Sequence, residues 1–377
     1  MFSEKLKTLE KDLLLRQIKD REAVMLPNMG IDGVRYINFA SNDYLGLACA
    51  DSLTDAAVQA LAEFGFGAGA SRLLSGGTQI HSTLEKAVAA FKTTETALVF
   101  NSGYIANISA LPSIAVEGDV IFSDELNHAS LIDACRLSRA RKAIYRHRDT
   151  AHLGRLMQTA KADKKVVVTD SIFSMDGDIA PLPEITALCK DHDALLYLDD
   201  AHATGVLGNG RGALAHFGLR PEPWIIQMGT FSKALGSYGA FIAAEKNIID
   251  WLISTARGLI YSTALPACVA AASLRGLHLV QSEPILINRL WQNRERLFKG
   301  LQALGLNTLC SETPIIPIVV GDVKKTMDVS TALQRRRVYC PAIRPPTVKQ
   351  PRIRVTVTAA HNEKDLAALL GALEKVL

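Results

Sequence analysis

The chain has 377 residues, with 42 basic against 38 acidic side chains, a net charge of +4 and a hydrophobic share of 48%. That length suits two or three domains of roughly 100–200 residues around a large core, and so small and mixed a charge is not that of a nucleic-acid-binding protein. The six cysteines are scattered, with no C-x-x-C pair, which suits reduced thiols in a cytoplasmic protein and not a disulfide framework.

The N-terminus, MFSEKLKTLEKDLLLRQIKD, alternates charge with Leu at helical spacing. It lacks the apolar segment and cleavage site of a secretory signal, and no run of about 18 apolar residues suggests a membrane span. A helix and then the strand YINFAS occupy this first segment, residues 1–45. The middle of the chain alternates apolar runs with amphipathic ones. The apolar runs are ALVF (97–100), DVIFSD (119–124), KAIYRH (142–147), KVVVTDS (165–171), ALLYLDD (194–200), WIIQMGT (224–230) and YGAFIAA (238–244). Between them lie helical patterns such as HASLIDACRLS and LPEITALCKDH. Near-continuous apolar strands alternating with helices predict an α/β domain with a mostly parallel sheet covered on both faces, placed at 46–270. From about 271 to 377 the texture changes to a smaller α/β domain. PIIPIVVGD reads as a strand, and RIRVTVT alternates as a half-exposed antiparallel strand should. The last helix follows an Asn362 cap and sets Leu366, Leu369, Leu370, Leu373 and Leu377 on one face. The basic run Arg335-Arg336-Arg337 reads as a solvated helix end or loop.

Chemistry concentrates at the predicted strand ends. One strand ends in Asp199, with His202 three residues on, and the next runs into Thr230-Phe231-Ser232-Lys233. In open α/β sheets ligands sit beyond the carboxyl ends of the strands. A carboxylate there can hold the protonated pyridine nitrogen that pyridoxal 5′-phosphate (PLP) needs, while a lysine amine forms an imine with its carbonyl. Asn101-Ser102-Gly103-Tyr104 follows a strand and opens a helix, so Ser102, Gly103 and Tyr104 read as a phosphate cradle. His128, after another strand end, suits stacking on a flat ring or, more plainly, a helix cap. Two patterns are set aside. Gly65-Phe66-Gly67-Ala68-Gly69-Ala70 matches a dinucleotide pattern but follows a helix, and Cys189, His192, Asp199 and His202 lack the close pair that a zinc site uses, so no metal is expected.

The segments NFASNDYLGL, GAGASRLLSGGTQIHSTLE, NSGYIAN, DELNHASLIDA, SIFSMDGDIAPL, LDDAHATGVLGNGRG, GTFSKALGSYGAF, LIYSTALP and IRPPTV resemble the α-oxoamine synthase family of fold-type I PLP enzymes, from about Asn38 to the C-terminus. The resemblance implies an aspartate-aminotransferase-like fold with a seven-stranded sheet, an acyltransferase activity and a homodimer. It matches Lys233 to the lysine that carries PLP, Asp199 to the partner of the pyridine nitrogen and His128 to the stacking ring. His202 and Ser174 match groups near the phenolic oxygen, and Gly103, Tyr104 and Thr230 match phosphate contacts. Arg354 matches the arginine that holds the amino-acid carboxylate, and Thr347 a residue near the acyl substrate. The segment before NFASND is shortened, so Arg21 and Arg16 compete to meet the acyl chain's far carboxylate, with Arg21 the candidate. LIYSTALP resembles a segment that lends a hydroxyl to the neighbouring subunit's PLP phosphate, from Ser262 or Thr263; the plainer reading makes one of them a helix N-cap.

Within the family, the short length and the segments DELNHASLIDA, LIYSTALP and IRPPTV favour L-alanine and a pimeloyl thioester, on CoA or acyl carrier protein, as substrates. Ser71 points the same way, because glycine-using relatives tend to have Thr there and Ser leaves room for alanine's methyl. Glycine with acetyl-CoA is the alternative pair, and a non-catalytic binding protein of the same fold is the alternative of another class.

Overall fold

Seven apolar runs become one sheet. In the computed structural model, which describes residues 2–377, its strand order is Thr96–Phe100, Ala240–Ala244, Ile225–Thr230, Ala194–Asp199, Lys165–Asp170, Val120–Asp124, Arg141–Tyr145. Ala240–Ala244 runs antiparallel to both neighbours and every other pairing outside it is parallel. The inner strands bury nearly every residue. That is why their sequences do not alternate: helices cover both faces, so each side chain meets apolar surface. Leu111 and Ile114 of one helix and Leu131 of the next pack on Ile121, Val166, Tyr197 and Ile226 of the sheet. At about 2 kcal/mol for each fully buried aliphatic side chain, this layer is the main source of stability for the unit.

That sheet belongs to a unit comprising residues 50–173 and 179–287. The other unit comprises residues 2–49, 174–178 and 288–377 among those described. The boundary expected near 270 therefore moves, because Ala267–Ser282 is one unbroken helix whose Cys268 and Ala271 pack with Ala60 inside the first unit. The N-terminal segment is likewise no separate domain; it shares a unit with the C-terminal residues.

This second unit holds two three-stranded sheets, Asn28–Ile31 with Val34–Asn38 and Val338–Tyr339, and Ile315–Val319 with Arg352–Thr356 and Ala342–Ile343. The hairpin Asn28–Ile31/Val34–Asn38 turns on Asp32 and Gly33, both at positive φ (50° and 72°). Two left-handed residues in a two-residue loop match the right-handed twist of the strands, and Asp-Gly adopts that geometry at low cost. Arg352–Thr356 lies between two antiparallel neighbours and is buried along its whole length, so the half-exposed strand expected for RIRVTVT is corrected. Ile353 and Val355 join a core with Phe39, Ile316, Leu297, Leu366, Leu369 and Leu373. The last helix is Glu363–Glu374, with the Asn362 side chain accepting from the amides of Lys364 and Asp365; Leu377 lies past its end and is exposed. The helix Phe2–Lys11 buries none of its residues. No helix among the described residues is long and apolar enough to cross a membrane.

His361 locks this unit together. Its Nδ1 accepts from the Thr358 amide (3.0 Å), its Nε2 meets the Asn38 carbonyl (3.0 Å), and its ring stacks on Phe39 at 4.3 Å. Burial lowers its pKa to about 4. Protonation would place a hydrogen on the nitrogen that already accepts one. The folded-state value lies below the unfolded one, so this contribution is complete above about pH 6.5 and is lost as pH falls towards 4. Relative to His361→Gln, the wild-type protein should lose about 2 kcal/mol of unfolding free energy between pH 7 and pH 4.5. Urea melts of both proteins at the two pH values check this; a difference that does not change with pH contradicts it.

Candidate active site

In a parallel sheet the strands finish on one edge, and here four of them finish in polar residues: Asp124, Asp170, Asp199 and Thr230. Beyond that edge lies a cavity of about 220 Å³. Ser102, Gly103, Tyr104, His128, Asp199, His202, Thr230 and Lys233 all line it. Every one was singled out from sequence. Ser174, Thr347, Arg354 and Arg21 belong to the other unit.

Asp199 is buried at its strand end. Its Oδ2 accepts from Asn107 Nδ2 (2.8 Å) and its Oδ1 from the Ala201 amide (3.0 Å). Burial pushes its carboxyl up, and the charge of Lys233 with these hydrogen bonds pulls it back. Asp170 is its register partner on the adjacent strand, and Asp170 Oδ2 accepts from the His128 amide (2.6 Å). Burial, followed by the negative charge of Asp199, raises Asp170 well above the carboxylate range. Two carboxyls held this close cannot both ionise cheaply without cations.

His128 is the N-cap of the helix Ala129–Leu137, the plainer of its two sequence readings, and it also lines the cavity. Its Nδ1 takes hydrogen bonds from the Ser130 amide (3.2 Å) and the Ser130 hydroxyl (2.7 Å). Burial lowers its pKa, which favours the neutral ring, and an Nδ1 that accepts from the Ser130 amide leaves the ring hydrogen to Nε2. His202 is buried in the loop after Asp199. That loop is tied at both ends by a fully buried ion pair, Lys92 Nζ to Asp200 Oδ2 at 2.6 Å; Lys92 also donates to the Arg211 carbonyl (2.7 Å), and Asp200 Oδ1 accepts from the Ala213 amide (3.1 Å).

The opposite end of the cavity is built for an anion. The helix Gly103–Ile114 starts there, with the Ser102 hydroxyl accepting from the Ile105 amide (3.3 Å). The amides of its first turn have no intrahelical acceptor and carry the positive end of the helix dipole. A Cβ on Gly103 would lie 2.8 Å from Thr230 Cγ2, so only glycine lets the two segments approach this closely. Thr230 Oγ1 is buried and has no hydrogen-bond partner among the described residues, a cost of roughly 1–3 kcal/mol unless a ligand accepts from it. Tyr104 is 44% exposed and its hydroxyl donates to Asp133 Oδ2. These groups fit PLP: an orphaned hydroxyl and free amides for its phosphate, a buried carboxylate for its pyridinium, and a lysine lining the same cavity.

In the other unit, Arg352 and Arg354 are both 5% exposed, so neither is the solvated residue that strand alternation alone would give. Their partners differ. Arg352 pairs with Asp176 at 2.7 Å. Arg354 has no carboxylate partner among the described residues; it donates to the Ser174 carbonyl (2.7 Å), Thr356 Oγ1 (2.8 Å) and Asn42 Oδ1 (3.1 Å). Ser174 thus contacts Arg354 through its backbone. Arg16 donates to Thr347 Oγ1 (3.0 Å), and Arg344 anchors the same segment through the carbonyls of Leu13 and Leu15 (2.5 and 3.0 Å). Arg21 is exposed and makes no hydrogen bond among the described residues, so Arg16 is the arginine set beside Thr347. Neither Ser262 nor Thr263 caps a helix: the following helix is preceded by Pro266, and Asn101 Nδ2 instead donates to Ser262 Oγ and to the Thr263 carbonyl (both 2.9 Å).

Residues 34–373 match the model of the aminotransferase class I and II family. The chain belongs to that family. Its relatives place it among the α-oxoamine synthases. It is 45% identical over 383 residues to the 8-amino-7-oxononanoate synthase of Geobacter metallireducens, covering 99% of this chain and 98% of the relative. With the synthase of that name from Thermoanaerobacter pseudethanolicus it shares 44% identity over 381 residues, 100% of this chain and 96% of the relative. Among solved structures it is similar to a serine palmitoyltransferase from S. paucimobilis with bound PLP–myriocin, with a TM-score of 0.94 and 28% identity over 100% of this chain and 96% of that one.

Asn107, Ser130, Asp170 and Lys92 escaped the sequence reading. Asn107 sits one helical turn into a segment whose first residues drew attention, Ser130 is only two residues beyond His128, and the only signal for Asp170 was its place at the end of KVVVTD.

Replacing the Thr230 hydroxyl with a methyl separates ligand binding from folding. Thr230→Val should leave the melting temperature of the cofactor-free protein unchanged or higher, since no internal hydrogen bond is lost. It should weaken PLP binding roughly tenfold or more, the worth of one hydrogen bond to a charged group. Fluorescence titration with PLP and calorimetry check both; unchanged affinity contradicts the assignment.

Proposed function

We propose that the protein condenses L-alanine with a pimeloyl thioester, carried on CoA or acyl carrier protein, to give 8-amino-7-oxononanoate, CO2 and the free thiol. The observation that carries the reading is the cavity in which Lys233, Asp199, His128 and the orphaned Thr230 hydroxyl meet. The full-length similarity to 8-amino-7-oxononanoate synthases supports the choice of substrates.

PLP, when bound, supplies an electron sink for the carbanion at the amino acid's Cα. Lys233 would hold it through its amine, and Asp199 would keep its pyridine nitrogen protonated. His128 would face its ring and His202 would attend its phenolic oxygen, a role the sequence resemblance gives to Ser174 as well. Ser102, Gly103, Tyr104 and Thr230 would take its phosphate. The Lys233 amine would serve as the base for the Cα proton and as the acid that returns one to that carbon.

Arg354 binds the alanine carboxylate. A buried guanidinium without a counter-ion favours an anionic ligand, and its fork fits a carboxylate at two points. Arg352, already neutralised by Asp176, is excluded by the same logic. Thr347 and Arg16 attend the acyl chain. Arg16 and Arg344 are close enough for the charge of Arg16 to depress Arg344, after burial, and the pair suits the distal carboxylate of a pimeloyl chain. Arg16 replaces Arg21 in this role. We read the working unit as a homodimer, with Ser262 or Thr263 given to the partner's phosphate site. The exposed apolar residues Phe66, Leu74 and Tyr261 support that reading, and sedimentation at twice the chain mass tests it.

Two experiments test the substrate assignment. A panel of alanine, glycine and serine against pimeloyl, succinyl and acetyl thioesters should give the highest kcat/KM for alanine with the pimeloyl donor, and Arg16→Ala should erase the preference for that donor while Arg21→Ala keeps it. Glycine with acetyl-CoA as the best pair overturns the reading. Separately, Arg354→Ala should weaken alanine binding about 10–100-fold, as loss of a charge-assisted pair does, with PLP affinity within threefold of wild type. Arg352→Ala should lower thermal stability with little change in alanine binding. Unchanged alanine titration in Arg354→Ala refutes the assignment.

A further inference from the structure

Asn107 sits one turn into the helix Gly103–Ile114 and is wholly buried. It makes three hydrogen bonds, and together they leave its amide no freedom. The Tyr197 hydroxyl donates to Asn107 Oδ1 at 2.9 Å. Asn107 Nδ2 donates one hydrogen to Asp199 Oδ2 at 2.8 Å and the other to Ser130 Oγ at 2.9 Å. Turning the amide over would set its oxygen against a carboxylate, so the orientation follows from the partners. Ser130 Oγ, having accepted from Asn107, has its own hydrogen to give, and the acceptor at 2.7 Å is His128 Nδ1. The Ser130 amide points at the same nitrogen (3.2 Å). The hydrogens therefore run in one direction, from Tyr197 to Asn107, and from Asn107 both to Asp199 and through Ser130 to His128.

We propose that Asn107 is a positioning residue that couples Asp199 to His128: one amide hydrogen holds the carboxylate in place, and the other fixes the histidine ring in its Nε2–H form. The inference rests on the reading that Asp199 and His128 face the cofactor ring. Asn107 lines the cavity wall, but its polar atoms are all spent on protein partners, which separates it from the residues that would touch the ligand. Tyr197 has a matching part. It lies two residues before Asp199 on the same strand, so both side chains leave the same face of the sheet. Buried polar networks of this kind are fully satisfied or costly, and this one is satisfied at every Asn107 atom.

The branching makes the proposal testable limb by limb. The full-length holoenzyme, with 15N-labelled histidine rings, gives the tautomer of His128 by NMR, and the visible band of the bound cofactor reports its protonation as pH is varied. In Asn107→Ala both limbs are cut. His128 should become a mixture of Nδ1–H and Nε2–H forms, the pH profile of the visible band should shift, and kcat should fall 10-fold or more with KM for alanine changed less than threefold. Ser130→Ala cuts one limb only: with the Ser130 amide as the one donor left on Nδ1, the Nε2–H form should lose part of its population while the pH profile of the band stays put. Tyr197→Phe removes a single hydroxyl from a side chain of unchanged shape, and it keeps the test alive if Asn107→Ala does not fold. It should loosen the tautomer and shift the band in the same sense as Asn107→Ala, by less. A single Nε2–H tautomer retained in Asn107→Ala, or in Tyr197→Phe where that is the variant that folds, overturns the proposal. The NMR limb, repeated without cofactor, needs neither PLP nor substrate. A wrong assignment of the reaction would leave that result standing, while a failure of the coupling would show there first.

Discussion

A carboxylate buried at the end of a central strand is the constraint around which the active-site unit is arranged. Asp199 lies where the dielectric is low, and Asp170 lies beside it in register on the next strand. Each is costly to ionise alone, and together they repel. The structure offsets this with donors and a cation: Asn107 and the Ala201 amide to Asp199, the His128 amide to Asp170, and the charge of Lys233. The negative end of the cavity is thus held ready for a cation. Its other end, with the start of the helix Gly103–Ile114 and the unpartnered Thr230 hydroxyl, is ready for an anion. PLP carries a pyridinium at one side of its ring and a phosphate at the other, and the cavity has the corresponding polarity. Parallel strands are what bring the two ends onto one edge, because each crossover delivers a strand end and a helix start to the same place.

The second unit solves the opposite problem. Arg354 is a buried cation with only neutral partners, whereas Arg352, two residues away on the same strand, has Asp176. An anionic ligand at Arg354 would offset the desolvation cost of such a guanidinium.

Much of this was legible in the residues. All seven apolar runs are strands of one sheet, because burial on both faces forces an unmistakable composition on them. The strand-end positions of Asp199, Thr230 and Lys233, and the Gly103 turn, could be placed before any fold was known. What sequence patterns handle poorly is burial decided by distant segments. RIRVTVT alternates like a half-exposed strand, yet its polar positions are filled by arginines and threonines that find partners inside, so both of its faces are covered. The start of the second domain was misplaced because Ala267–Ser282, rich in small residues, gives no sign of which core it joins. Asn107 and Ser130 carry no local signal, since their roles exist only once a helix is laid beside the end of the strand Ala194–Asp199. The choice between Arg16 and Arg21 was equally closed to local reading. It depends on Thr347, more than 300 positions away in the chain.

The central claim is that Lys233 carries PLP opposite Asp199, and chemical capture tests it most directly. Borohydride reduction of the protein loaded with PLP, followed by proteolysis and mass spectrometry, should place a single pyridoxyl group on the peptide containing Lys233. The visible band of the bound cofactor should vanish on reduction, and Lys233→Ala should show neither the band nor the label. A label on any other lysine, or no label in protein that binds PLP, would contradict the account.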